Sequence, residues 1–169
     1  MADGVASVSV PAVAREAGVS VPTVYRHFGT KRDLLAALYP HLVLRAGFRE
    51  MVIPRSIEEL RDGVRAIFER IDSFDDLARA AIASPAAEEA RRTIFPDRLA
   101  LAREIASTIV PKLAKVDRDR IARLLVVLIT SSSLRVWRDH LGSTVEEAAD
   151  DIDWVVRAAI AAATTRTGV

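Results

Sequence analysis

The chain has 169 residues, enough for one domain or one domain with a small appendage, and half of them are apolar. Its 24 basic and 23 acidic residues leave a formal charge of +1, which excludes a uniformly basic nucleic-acid coat or a strongly acidic chain but allows a local basic patch. The absence of cysteine excludes disulfides, thiolate catalysis and Cys-ligated zinc, and the lack of a roughly 18-residue apolar run or a basic leader gives the expectation of a cytoplasmic protein with no membrane span.

Ala, Leu, Arg and Glu dominate, and period-2 alternation is nearly confined to Val8-Ser9-Val10, so the chain reads as all-α without repeats. Ser9 is the expected N-cap of a helix over Val10–Ala17, which Gly18 stops. Ser20 caps a second short helix, Val21–Phe28, with Pro22 in its first turn. Thr30 caps a third, Lys31 to about Phe48, in which Pro40 is expected to form a kink. Ser56 with Glu59 marks a capping box for a helix to about Ile71, and Ser73 with Asp76 a weaker one for a helix ending near Ser84. Pro85 opens a segment that Pro96 is expected to interrupt, and Asp97 then caps a helix ending near Lys115. Asp117 starts a long helix to His140, closed by Gly142, and Ser143 or Thr144 caps the last, running to about Thr164.

The last two helices are apolar over much of their circumference. Ile121, Leu124, Leu125, Leu128 and Val136 form one stripe, and Val145, Ala148, Ile152, Val155, Ala159 and Ile160 another. A helix apolar on more than one side is buried on more than one side, which suggests packing against a second copy; a central core helix in a monomer is the alternative. The residues expected at such an interface are Leu128, Val136, Ile152, Val155, Val156 and Ala159.

The informative stretch is Ser9 to Leu38. Two short helices joined by Ala17-Gly18-Val19-Ser20 make a helix-turn-helix, whose second helix enters the major groove of DNA. In that second helix Val24 and Phe28 stand four apart and face inward, leaving Thr23, Tyr25, Arg26 and His27 to point outward. Those side chains suit phosphate contacts, and Arg26 could also reach a guanine edge. Thr30 and Lys31 follow at a helix N-terminus, which itself favours a phosphate. Between Arg15 and Arg32 four basic residues (Arg15, Arg26, Lys31, Arg32) face one acidic residue, Glu16, a local +3 that leaves the remainder of the chain at −2. An ordinary solvated helical hairpin would explain any one of these donors; the cap-turn-cap pattern with its polar-aromatic face favours DNA.

The run from Val13 to Leu35, with its "AGVS" and "TVYRHF" pieces and a lysine three residues after the phenylalanine, resembles the signature of the TetR (tetracycline-repressor-like) family over about residues 8–38. The resemblance implies a one-component transcription regulator, usually a repressor, with a helix-turn-helix domain over 1–38 and an all-helical ligand-binding and dimerisation domain over 39–169. It implies dimerisation through the last two helices, binding of a palindromic double-stranded operator, and release by a small molecule. By the same resemblance Tyr25, His27 and Lys31 hold phosphates and Thr23 contacts the backbone or a base. Val21, Pro22 and Arg26 lie where bases are read, beside the capping Ser20. One departure is notable: Met1–Val5 looks like the tail of a helix that family members carry in full. Its absence is expected to take burial from Val10, Val13, Val24 and Phe28, worth roughly 1.5–3 kcal/mol for each fully buried large side chain, and to loosen the reading head.

The ligand pocket is less sharply marked. Phe68, Ile71, Phe74, Phe95, Leu99, Thr130, Ser133 and Trp137 are candidate lining residues, each of which would also suit a core, and they point to an apolar or aromatic effector. Thr130-Ser131-Ser132-Ser133 is unusual inside a helix, because hydroxyls compete for local backbone bonds. Pro40 is a hinge between pocket and reading head or a tolerated kink. His27, His41 and His140 lack metal-binding spacing, no phosphate-cradling glycine loop is present, and no nucleophile with a base is visible, so no cofactor, metal or enzymatic activity is expected. The competing function is a helical small-molecule-binding dimer that has lost operator binding with its first helix.

Overall fold

The computed structural model describes residues 9–47 and 52–167, and every regular element among them is helical. Met1–Val5, on which the expectation of a curtailed first helix rests, lie outside the described residues, as does Phe48. Helix α1 spans Val10–Glu16, α2 Val21–Phe28 and α3 Lys31–Arg45. Each begins on a hydroxyl residue: Ser9 accepts the N–H of Ala12 at 3.3 Å, Ser20 that of Thr23 at 3.3 Å, and Thr30 that of Asp33 at 3.1 Å. Gly18 and Gly29 close the first two helices at φ values of 65° and 73°, a region that side chains with a Cβ rarely adopt.

Two hydrophobic clusters follow. The smaller joins Val10 and Ala14 of α1, Val24 of α2 and Leu34 of α3, with Val13, Val21 and Phe28 packed against it. Val10 and Val24 are therefore buried, and Val13 and Phe28 half-buried. The larger begins one residue later, at Leu35, and gathers most of the remaining helices. Successive residues of α3 thus belong to different cores, so this one helix ties the helix-turn-helix to the body. Pro40 sits exposed within it, and the helix continues past it to Arg45.

The body comprises α4 (Ile57–Asp72), α5 (Asp76–Ile82), α6 (Pro85–Ile109), α7 (Lys115–Leu128), α8 (Ser131–Arg135), a π-helical turn over Val136–His140 and α9 (Val145–Thr167). Phe68 and Val64 of α4 and Val156 of α9 are among its most deeply buried side chains. Charged residues join α4 to α9: Arg61 binds Glu146 and, at 2.6 Å, Asp150, and Arg157 binds Glu58 at 2.8 Å. Glu147 and Thr144 form a reciprocal cap at the start of α9, each accepting a backbone N–H from the other.

Several boundaries differ from the sequence expectation. Asp75, not Ser73, caps α5 by accepting the N–H of Ala78 at 2.8 Å, while the Ser73 hydroxyl donates back to the Arg70 carbonyl and finishes α4. Helix α6 runs unbroken through Pro96, and Asp97 lies inside it. Pro96 and Arg92, whose carbonyl the proline leaves without its helical donor, are both exposed, so water can serve that oxygen while the C-terminal half stays anchored by Ala102, Ile105 and Ala106. The helix expected over Asp117–His140 is divided at Ile129–Thr130. Thr130 turns extended, at φ −136° and ψ 158°, and caps α8 through the Ser133 N–H at 2.8 Å. The hydroxyl run therefore starts a helix instead of lying inside one. Helix α7 begins at Lys115, so Asp117 sits in its first turn, buried and bound by Arg120 and Arg166. Beyond Arg135 the Leu141 N–H reaches back to the Val136 carbonyl, five residues earlier.

Candidate nucleic-acid interface

Helix α2 is amphipathic in the sense needed to present a reading face. Val21, Val24 and Phe28 lie at helical spacing toward the small cluster. Pro22, Tyr25, Arg26 and His27 are exposed, and Thr23 is half-buried. Eight residues make a rod roughly 12 Å long, short enough to enter a major groove end-on. The Ser20 and Thr23 hydroxyls are hydrogen-bonded to each other at 2.8 Å, which fixes both at the N-terminus of the rod. The His27 ring stands edge-on to Phe28, centroids 4.7 Å apart, so the half-buried phenyl sets the direction of the exposed imidazole.

The charge on this surface is uncommitted. Arg15, Arg26, Lys31 and Arg32 are all exposed, and none makes an ion pair among the described residues. In the body Arg61, Arg65, Arg91, Arg103, Arg120, Arg138, Arg157 and Arg166 are held by carboxylates, while others such as Arg92, Arg123 and Arg135 make no ion pair among the described residues. The N-terminus of α3 is less open to an anion than its position suggests. Asp33 accepts both the Thr30 N–H at 3.2 Å and the Thr30 hydroxyl at 2.6 Å and donates its own N–H to that hydroxyl, closing a capping box that sets a carboxylate at the helix start. Attraction for a phosphate there falls to the Lys31 and Arg32 side chains. Arg32, exposed beside Lys31, adds a cation to the same edge.

The expected pocket residues are distributed between core and surface. Phe68, Ile71 and Phe74 come together in the larger cluster, all nearly inaccessible, with the Arg45 guanidinium 5.0 Å from the Phe74 ring centre. Leu99 and Trp137 pack half-buried against that cluster, and Phe95 is half exposed. The Thr130 and Ser133 hydroxyls bond to each other at 2.6 Å, so both serve the helix break. Between α3 and α6 lies a polar group that periodicity did not single out. The buried Tyr39 ring faces the Arg91 guanidinium at 5.7 Å, and burial raises its hydroxyl pKa above the ordinary value against the pull of Arg91 and Arg98. Arg91 also donates to the Ile82 carbonyl at 2.9 Å, and Arg98 to the Ile129 carbonyl at 2.6 Å. Burial lowers the Arg98 pKa.

The expected dimer residues divide in the same way. Ile152 and Val156 are buried in the chain's own core, Leu128, Val155 and Ala159 are half-buried, and Val136 is 48% exposed. The most open apolar side chains of α7 and α9 are instead Val127, at 65%, and Trp154, at 71%. A groove of about 340 Å³ runs between these two helices, lined by Leu124, Ile121, Ala159, Ala162 and Ala163, with Asp117, Arg120 and Arg166 also contributing to its walls. Among the described residues no cluster of three or more His, Asp or Glu could hold a metal, and no helix is long and apolar enough to cross a membrane.

Residues 1–38 match the family model described as "Bacterial regulatory proteins, tetR family". No curated protein and no solved structure matches the chain.

Proposed function

We propose that the chain, whose residues 1–38 match the family model of tetR-type bacterial regulatory proteins, is a DNA-binding transcriptional regulator of that kind, a repressor released from its operator by a small molecule. The observation that carries the DNA-binding half is the exposed face of α2 with the start of α3. Tyr25, Arg26, His27 and Lys31 stand outward there without ion-pair partners among the described residues, while Val24 and Leu34 lock the helix behind them. Lys31, Tyr25 and His27 position the head on phosphates, Thr23 and Ser20 contact the backbone, and Arg26 with Val21 and Pro22 reads bases.

A homodimer places two such heads on a palindrome, in successive major grooves about 34 Å apart. Release needs a ligand that binds better to a conformation in which that spacing is wrong. Helix α3 is the element that can carry the change. Its N-terminal turn holds Lys31 and Leu34, while Leu35, Tyr39 and Leu42 pack on the body. Movement of α6 against α3 would pass through Arg91 and Tyr39 to the reading head.

The test is fluorescence-anisotropy titration with duplexes from upstream of the chain's own gene, at several salt concentrations. A repressor of this kind prefers one palindromic segment to random DNA and loses affinity steeply with salt. Equal affinity for all duplexes refutes the operator-binding reading and leaves a helical ligand-binding dimer.

A further inference from the structure

Resting on the ligand-released repressor proposed above, we propose that its effector is an aromatic carboxylic acid, which lays its ring on Phe95 and its carboxylate between Arg91 and Arg98, along one stripe of α6. These residues stand four and then three positions apart, so they follow one another along a single face of the helix. Phe95 is 49% exposed, whereas the Arg91 side chain is only 15% exposed and Arg98 is half-buried. An open phenyl ring is thus bracketed by a recessed guanidinium group at each end. The ring offers stacking or edge-on contact to an arene. The guanidinium groups offer forked hydrogen bonds to a planar carboxylate.

The electrostatics of the stripe favour an anion. Burial lowers the Arg98 pKa, and Tyr39 and the like charge of Arg91 act on it in opposite senses. Both arginines in turn pull on the buried Tyr39 hydroxyl, so the three polar groups share one small region between α3 and α6. Glu88 reaches Arg91 at 2.9 Å but is itself 55% exposed, and an ion pair open to water on that side is a weak competitor for an incoming carboxylate. A ligand carboxylate brings negative charge to two like cations and offsets the hydration they have lost.

The same two arginines hold neighbouring helices to α6. Arg91 donates to the Ile82 carbonyl, at the end of α5, at 2.9 Å and faces the Tyr39 ring of α3 at 5.7 Å. Arg98 donates to the Ile129 carbonyl, where α7 gives way to α8, at 2.6 Å. Both of these acceptors are neutral. A bound carboxylate competes for the same donors, and hydrogen bonds to an ionised group are roughly twice as strong as neutral ones. Ligand binding therefore loosens α6 from α3, α5 and α7 together, and α3 carries Leu34 of the reading head. The acid binds better to the body in which these contacts are broken, which is the differential affinity that release requires.

The experiment pairs isothermal titration calorimetry of the full 169-residue chain with anisotropy on its preferred duplex, using 3-phenylpropanoate and its neutral amide as probes. The acid is expected to bind at least about 10-fold more tightly than the amide and to release the duplex where the amide does not. Arg91→Gln and Arg98→Gln are each expected to bring the acid down to the affinity of the amide. Phe95→Ala, at a half-exposed position, is expected to weaken acid and amide alike by about 3- to 10-fold and so to preserve their ratio. Circular dichroism verifies that each variant stays helical. Equal affinity for acid and amide, absence of acid binding up to about 10 mM, or an acid affinity unmoved in Phe95→Ala overturns the site. Duplex binding unchanged by saturating acid overturns the coupling to release. Acid binding that follows the expected variants, in a chain that prefers no duplex to random DNA, overturns the repressor reading and leaves the site standing.

Discussion

Leu34 and Leu35 are neighbours in sequence and belong to different cores, which makes them a discriminating pair. Leu34 is 2% exposed and closes the small cluster of Val10, Ala14 and Val24; Leu35 is 8% exposed and packs into the body. Val10, Val24 and Leu34 are the three large buried side chains of the small cluster. At roughly 1.5–3 kcal/mol each, Leu34 supplies about a third of its apolar stabilisation. Leu34→Ala removes that and leaves a cavity, for a loss of about 2–5 kcal/mol. Concentrated on opening of the head alone, this raises the open population by about 30-fold to several thousand-fold. Hydrogen exchange followed by mass spectrometry is expected to show the loss of protection over residues 10–28, with residues 57–72 unchanged. Operator affinity should fall as the competent fraction falls. Leu35→Ala is expected to do the reverse, loosening the body before the head. If both variants lower protection equally in both regions, α1 to α3 do not form a separately stabilised unit and the two-core reasoning is wrong.

Lys31→Ala is expected to lower affinity for all duplexes alike and to reduce the salt slope by about 1, whereas Arg26→Ala should cost about 1–3 kcal/mol on the preferred duplex and little on random DNA; anisotropy at three salt concentrations separates the two. Hydrogen bonding from Arg157 holds the Glu58 carboxyl at about 2. A depressed carboxyl favours the fold above its unfolded value and loses that contribution as pH falls through the folded one. The α4–α9 link is therefore expected to weaken between pH 4.5 and about 2, and Arg157→Gln should return the Glu58 titration, followed by carboxyl NMR, toward the ordinary range. Pro96→Ala restores the hydrogen bond missing within α6 at an exposed position and is expected to stabilise the chain by about 1–3 kcal/mol in urea unfolding, unless the helix relies on a kink there.

What was legible in the sequence follows the range of the interactions. The limits of α2 are those the sequence indicated, because Ser20, Pro22 and Gly29 act on backbone groups within four residues of themselves. The Thr30 cap was legible for the same reason, and its closure by Asp33, which sets a carboxylate at the start of α3, is equally local, a Thr and an Asp three residues apart. Pro96 misled because a proline reports the loss of one hydrogen bond, while the continuation of α6 depends on Ala102, Ile105 and Ala106 packing against helices distant in sequence. The hydroxyl run at Thr130 was recognised as out of place in a helix, yet only the Thr130 backbone conformation shows that it ends one and begins another.

The same limit of range decides the apolar faces of α9. Periodicity marks two sides, one with Ile152 and Val156 and one with Trp154, Ala158 and Ala161, but contains nothing that ranks them. The ranking comes from α4, whose Arg61 grips Glu146 and Asp150 from 85 or more residues away and whose Glu58 meets Arg157. Along the same α4–α9 contact Ile152 and Val156 enter the core that holds Val64 and Phe68, which leaves Trp154 turned out. The residues available to a second copy are thus determined by how α9 packs on α4, a helix far away in sequence, and not by the periodicity of α9 itself.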